Sequence, residues 1–413
     1  MKNRSIYNII LKKNSSKFGR IIILTGARQT GKTTLVFQKF QDYKYISLED
    51  PVLSSSYKKL SAAQWKQSFP KAILDEVQKE PQLIESIKAV YDQYSDTEYM
   101  LLGSSQILLL KKVRETLAGR CQIVEMYPLT LPEMLTDGWD SEIKPSYFQD
   151  LISGNIYEPL PFLLDDLHPQ KQKAFDFYLQ NGLYPAITDD WLTAEEKKDW
   201  LKNYIKTYLE RDIRDLAEIR HLEPFIKVQK LIALSTAQIT NYSRIAVEAG
   251  VSAKTVQRFF EYMNISYQIL ILQSWNRNQK KRLVKSPKIH YLDVGILRAI
   301  LQKNDALNGH EFESAIVSEI YKQCRTMDKD FSYYHFRTSD GREIDLLIET
   351  EKGYYAIEIK NAKKVRNVDA KHFKGLEEIL DKPIIKKIII SNDLEHNTFN
   401  SDVLAMPAVQ FLT

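Results

Sequence analysis

Two cysteines in 413 residues, Cys121 and Cys324, are too few and too far apart for a disulfide framework or a zinc finger. Their scarcity fits a reducing compartment, so the cytoplasm is the expected location. Long apolar runs are missing too. The longest N-terminal one, Tyr7 to Leu11, is too short for a signal peptide, and no stretch approaches a membrane span. No membrane partner is expected. Nor does one sign of charge dominate, because 58 Lys+Arg against 53 Asp+Glu leave a net of +5. That is weak support for a nucleic-acid partner, and local clusters have to carry the argument. What the chain does have is length and apolar content. With 413 residues, 44% hydrophobic and 11% aromatic, it should form two to four domains with sizeable cores.

The most specific pattern lies near the start. Gly26, Ala27, Arg28, Gln29, Thr30, Gly31, Lys32 and Thr33 spell G-x-x-x-x-G-K-[ST], with Thr34 following. Upstream, Ile21 to Thr25 reads as a buried strand; downstream, Thr34 to Phe40 reads as a helix. Glycines let the backbone aim N–H groups at phosphate oxygens, and the helix N-terminus adds positive dipole. Lys32 would reach the β- and γ-phosphates and Thr33 would ligate Mg²⁺, so ATP with Mg²⁺ is the expected ligand. Next, Ala72-Ile73-Leu74 ends in Asp75 and Glu76. An aspartate at a strand's carboxyl end can hold the Mg²⁺ shell, and the adjacent glutamate can polarise water.

The strand Tyr99 to Leu102 runs into Gly103-Ser104-Ser105, where polar side chains either sense the γ-phosphate or cap the helix Gln106 to Lys112. Arg120, in Leu117-Ala118-Gly119-Arg120, is either an arginine finger toward a neighbouring subunit of a homo-oligomer or an ordinary salt-bridged side chain. Alternating strands and helices from 20 to about 125 imply a parallel α/β sheet with nucleotide at the strands' carboxyl ends. These segments resemble the AAA+-like branch of P-loop ATPases. More narrowly, residues 26–34, 73–78, 101–105 and 117–120 are similar to a widespread prokaryotic family. Its members join an AAA-type domain to a C-terminal domain of unknown function.

From about 145 to 225 the pattern is helical and rich in tyrosine. Tyr204, Tyr208 and Asp212 would share a helix face, either packing or forming a lid over the nucleotide. Helices are then expected at Phe225 to Ser235, Tyr242 to Glu248 and, capped by Ser252, up to Met263, with a turn at Gly250. The third offers Lys254, Thr255, Gln257 and Arg258. A strand at Gln268 to Leu272 precedes Arg277, Lys280, Lys281, Arg282, Lys285 and Lys288, with no acid among them. The arrangement fits a winged helix with a basic wing that contacts nucleic acid, DNA first. Winged helices also serve as protein–protein modules.

The C-terminal stretch reads αβββαβ: a helix at Glu311 to Gln323, strands at Phe331 to Arg337, Arg342 to Ile348 and Tyr354 to Lys360, a helix near Ala370 to Leu380, and a strand at Lys386 to Ser391. A hairpin turning at Glu351-Lys352 sets Asp345 opposite Glu358 and Glu343 opposite Lys360. All four then share one face, with Ile344, Leu346, Ile348, Ile357 and Ile359 on the other. Such a set can bind Mg²⁺ and orient water against a phosphodiester. It can equally be a solvated charged face, with Glu343–Lys360 a cross-strand ion pair. The segment resembles the PD-(D/E)XK nuclease superfamily, with Asp345 as first acid, Glu358-x-Lys360 as second element and Glu313 as the helical acid. Ile344 stands where that superfamily often has proline.

The expected fold is therefore α/β: a P-loop NTPase domain over 1–137, a helical region over 138–224, a winged helix over 225–300 and an α+β restriction-endonuclease-like domain over 301–413. Lys32, Asp75 and Glu76 are the candidate ATP-hydrolysing residues, with Thr33 and Asp75 on metal. Asp345, Glu358 and Lys360 are the candidates for cleavage, with Asp345, Glu358 and Glu313 on metal. The expected function is a Mg²⁺-dependent ATPase controlling a nuclease-type domain on DNA. The alternative is a nucleotide-dependent switch whose C-terminal domain binds without cutting.

Overall fold

The computed structural model describes the chain except residues 17–18, 104–112, 114, 160, 210–220, 339–340 and 401, and the side chains at 208–209 and 283–284. In the N-terminal part, strands β1 (Ile21–Gly26), β2 (Lys44–Ser47), β3 (Lys71–Asp75), β4 (Glu98–Leu102) and β5 (Gln122–Met126) form a parallel sheet in the order β2-β3-β4-β1-β5. All six residues of β1 are buried, as a strand covered on both faces requires. Its odd residues Ile21 and Ile23 join a core with Leu74 and Leu101, and Ile22 and Leu24 join the opposite core with Ile73 and Met100. The parallel register brings the carboxyl ends of β1 and β3 to one edge, with β4 between them.

The helices expected after residue 222 are present, at Glu223–Leu234, Tyr242–Ala249 and Ala253–Ile265. Gly250 takes φ +71 in the turn, and the Ser252 side chain accepts from the Thr255 amide. Strands β6 (Ile269–Ser274) and β7 (Lys288–Tyr291) pair antiparallel. The segment between them holds a short helix, Gln279–Val284, capped by Asn278.

Next comes the helix Gly309–Arg325, closed by a capping box of Asn308 and Glu311. Strands β8 (Ser332–Arg337), β9 (Glu343–Glu349) and β10 (Tyr354–Lys360) form an antiparallel meander, and β11 (Ile384–Ser391) lies parallel to β10. Strands β12 (Asn397–Phe399) and β13 (Val403–Pro407), absent from the sequence reading, extend that edge.

Three expectations change. The helix expected near Ala370 to Leu380 is a 3-10 helix, Asn367–Phe373, followed by turns; Gly375, at φ +69, bends the chain there. A bulge shifts the β8–β9 register between Tyr334 and Phe336. Ile344 consequently packs with Leu347 and Ala356, away from Leu346, Ile348, Ile357 and Ile359. Finally, β6 pairs with β8 through Gln273 and Ser274, so one eight-stranded sheet, β12-β13-β11-β10-β9-β8-β6-β7, crosses the expected division at 300/301.

The Gly309–Arg325 helix also docks on the N-terminal part. Lys322 and Glu319, both without solvent exposure, pair at 2.8 Å. The Lys322 ammonium donates to the Leu129 carbonyl at 2.9 Å, and Glu319 accepts the Leu131 amide at 2.7 Å. One apolar core accordingly runs from Ala27 and Leu129 through Phe312 and Ile316 to Leu412. Removing one partner of a buried pair leaves the other charge uncompensated. Lys322→Ala should therefore lower unfolding free energy by about 3–5 kcal/mol. Urea melts should also show the double variant Glu319→Gln/Lys322→Met recovering much of that loss.

Candidate functional site

Gly26 sits at φ +148 with the Met126 carbonyl oxygen 2.1 Å from where a Cβ would lie, so only glycine lets β1 turn there. Gln29 and Gly31 are left-handed, at φ +60 and +91, and Gly31 caps the helix Lys32–Lys39. The loop closes on itself: the Thr30 hydroxyl donates to the Ala27 carbonyl at 2.9 Å. The Lys32 ammonium donates to the Gly26 and Ala27 carbonyls at 3.0 and 2.7 Å. Ala27, Thr30 and Lys32 are buried, Arg28 and Thr33 half-buried, and Gln29 and Thr34 exposed.

Among the described residues, Arg4 and Tyr204 reach the loop's carbonyls from outside it. Arg4, buried, donates to the Thr30 carbonyl at 2.8 Å and to the Tyr127 carbonyl at 2.5 Å, and pairs with Glu133 at 3.3 Å. The Tyr204 hydroxyl, at the end of the helix Ala194–Tyr204, donates to the Arg28 carbonyl at 3.1 Å. Tyr204 is buried and stacks on Trp200, which is a packing role at the loop; Tyr208's side chain and Asp212 lie outside the described residues.

At the end of β3, Asp75 accepts from the Thr33 hydroxyl at 2.9 Å and from the Tyr45 hydroxyl at 2.7 Å. Burial, then the bond to Asp75, raises the Tyr45 phenol, so it stays a donor. Glu76 is left-handed at φ +59, a conformation that costs a non-glycine residue on the order of 1 kcal/mol or more. Its carboxylate accepts from the Gln78 side chain. Thr33 and Asp75 thus meet beside the loop, oxygen donors of the kind that suit a hard cation, and Glu76 follows Asp75 directly in the chain. Arg120 pairs with Asp92 at 2.7 Å, the ordinary salt bridge of the two readings. Ser104 and Ser105 lie outside the described residues.

The second cluster forms in the eight-stranded sheet. Tyr354↔Glu349 through Ile357↔Leu346 are paired, and the ladder stops short of Asp345 and Glu358. Asp345 accepts the Ile359 amide at 2.8 Å. Glu358 accepts from Lys360 at 2.6 Å and lies 3.1 Å from the His372 ring, while its buried Oε2 has no hydrogen-bond partner among the described residues. Glu343 does not meet Lys360. It pairs with Lys288 at 2.6 Å, and the same ammonium lies 2.8 Å from Glu313 and 3.4 Å from Asp345.

Sequence reasoning had placed Lys288 on an exposed basic wing. It is 2% exposed, and Arg282 is also buried, held by Tyr334, Glu349 and Asp381. Arg277, Lys280, Lys281 and Lys285 are exposed as expected, as are Lys254, Gln257 and Arg258. Lys288 and His290 alternate on β7, a period-two signal that marks an inward polar face, though only the β6–β8 pairing shows what it meets. Burial alone would lower the Lys288 ammonium, but Glu313, Asp345 and Glu343 hold it above its ordinary value. Burial, then Glu313 and Glu358, pushes the Asp345 carboxyl well up. Among the described residues, no three His, Cys, Asp or Glu side chains are arranged to hold a metal ion. The cation inside the cluster is the chain's own.

Residues 19–135 match a family model described as an AAA domain. Residues 172–307 and 308–411 match two models, DUF8612 and DUF4143, each described as a domain of unknown function. The chain is 24% identical to the uncharacterized protein Rv2008c of Mycobacterium tuberculosis, over 95% of this chain and 81% of the relative. It is 23% identical to the uncharacterized protein MJ1544 of Methanocaldococcus jannaschii, over 91% and 82%. Among solved structures, the Walker-type ATPase paby2304 of Pyrococcus abyssi aligns with a TM-score of 0.44 and 14% identity, covering 71% of this chain and 95% of that one. The STAND-type signal transduction ATPase PH0952 of Pyrococcus horikoshii, with a tetratricopeptide repeat sensor, aligns at 0.25 and 11%, covering 76% and 44%. The AAA match, the parallel sheet and the loop together support a P-loop, AAA-like ATPase that binds and hydrolyses ATP. No helix among the described residues is long and apolar enough to cross a membrane.

One pH dependence follows from this cluster. Burial, then the Lys288 charge, holds the His335 imidazole down at about 4. An unfolded chain takes up that proton near pH 6.5. The contribution of His335 is therefore intact above about pH 6.5 and lost as pH falls toward 4. Urea melts should show stability dropping over that window, and His335→Gln should flatten part of the slope. An unchanged slope in the variant places the acid sensitivity elsewhere, with the fully buried His290 next in line.

Proposed function

We propose that the protein is a Mg²⁺-dependent ATPase that works on DNA in the cytoplasm, its nucleotide state controlling a nuclease-type C-terminal domain. The observation that carries this reading is the Gly309–Arg325 helix. Its Lys322 and Glu319 grip the segment leaving the ATPase sheet, and its Glu313 enters the carboxylate cluster. A change at one end of that rod is felt at the other.

On the ATPase side, Lys32 would exchange its two loop carbonyls for phosphate oxygens, and the loop amides and helix N-terminus would orient the chain of phosphates. Thr33 and Asp75, already in contact, would hold Mg²⁺, which supplies charge neutralisation when bound. Glu76, aimed by its left-handed backbone, would orient and polarise the attacking water.

On the nucleic-acid side, three helices followed by the β6–β7 pair support a winged helix, with Lys254, Gln257 and Arg258 on the third helix and Arg277, Lys280, Lys281 and Lys285 nearby in solvent. The helix, the β8–β10 meander and the parallel β11, with Asp345, Glu358 and Lys360 together, support a PD-(D/E)XK-like fold. A second reading, a switch that binds DNA without cutting, is favoured by the Lys288 ammonium among the carboxylates.

Lys32→Ala should abolish ATP binding by calorimetry, and Glu76→Gln should keep binding while turnover falls about a hundredfold or more. Normal turnover in Glu76→Gln would remove it from the water-activating role. Reversing Lys280, Lys281 and Lys285 to glutamate should weaken DNA binding and reduce the log–log salt slope by roughly 3. An unaltered slope argues for a protein partner at this face.

A further inference from the structure

We infer that Lys288 is the resident cation of the carboxylate site, so that the site excludes a divalent ion while that ammonium is seated. This rests on the nuclease-type reading of Asp345, Glu358 and Lys360. In that reading Asp345, Glu358 and Glu313 need a metal ion among them; in the structure two of the three, with Glu343, surround an ammonium at 2.6–3.4 Å. A lysine and a divalent ion cannot share so small a space, because both positive charges would fall within a few ångströms in a poorly screened interior. The third acid shows the gap left behind. Glu358 is 2% exposed, and its buried Oε2 has no hydrogen-bond partner among the described residues. A buried carboxylate oxygen left unsatisfied is costly, and a donor or cation would satisfy it.

The place of Lys288 in the fold keeps it apart from the strands that carry Asp345 and Glu358. Strand β7 is the last in the sheet order, hydrogen-bonded to β6 on one side; on the other, the Ile289 and Pro287 carbonyls accept from the Ala237 and Thr240 amides, and the Tyr291 amide donates to Ser314. Strands β8, β9 and β10 pair with one another without it. Three residues upstream, Lys285 is exposed at the end of the basic segment.

The test is Mn²⁺ binding to the full-length, nucleotide-free protein, read from the electron paramagnetic resonance signal of free Mn²⁺. Lys288→Met should gain one site, about tenfold tighter than any in wild type, and Asp345→Asn in that background should abolish it. Because Lys288→Met leaves carboxylates unbalanced, Glu343→Gln serves as a second variant. It loosens the ammonium by removing its nearest partner and keeps the three expected ligands, so Mn²⁺ affinity should rise there too. A wild-type protein that already holds an Asp345-dependent Mn²⁺ as tightly as Lys288→Met overturns the inference, as does weaker binding in Glu343→Gln. DNA cleavage measured in parallel separates the two claims. Lys288→Met that takes Mn²⁺ and cuts nothing sinks cleavage and leaves the resident-cation inference standing.

Discussion

A lysine and a glutamate with no access to solvent hold this protein together. Burying Lys322 and Glu319 costs several kcal/mol per ion unless every valence is used, and here most are. Lys322 reaches the Leu129 carbonyl, Glu319 takes the Leu131 amide, and Gln323 donates to both Glu319 and the Leu412 carbonyl. The short helix that Glu319 caps, Leu131–Met134, contains Glu133, the partner of Arg4. Arg4 in turn holds the carbonyls of Tyr127 and Thr30. Loop, strand exit and long helix thus form one ring of buried charge, and none of them can shift alone.

Glu313 and Lys322 are nine residues apart on one helix, roughly 14 Å at 1.5 Å per residue. Over that length an α-helix behaves as a rod, so it holds the Lys322–Glu319 contacts and the Glu313–Lys288 pair at a fixed spacing.

Where function depends on local backbone, the sequence was legible. Gly26 and Gly31 needed only their spacing to be read, and Asp75 only its place after an apolar strand. The β9–β10 register from Tyr354↔Glu349 to Ile357↔Leu346 followed from period two and a short turn. What escaped depends on distant pairing. Lys288 looks like one more solvated lysine until β6 joins β8 and carries it inward. Lys322 and Glu319 look like the polar face of an amphipathic helix, because nothing local says that a second domain covers them. Ile344 was misplaced because a bulge breaks the alternation that the strand otherwise keeps. The helix expected at Ala370 failed for a local reason, a single left-handed glycine at 375.

Arg4 and Tyr204 grip the nucleotide loop from opposite sides of it in the chain. Polypeptides are made from the amino end at several residues per second, and domains commonly fold as they emerge. The loop and its sheet are complete in sequence by residue 126, yet the Arg28 carbonyl gains its tyrosine partner only when the helix Ala194–Tyr204 has been made. During synthesis the nucleotide pocket is thus finished late, after its own domain. Nascent chains pass through a stage at which the motif is present and its final shape is not.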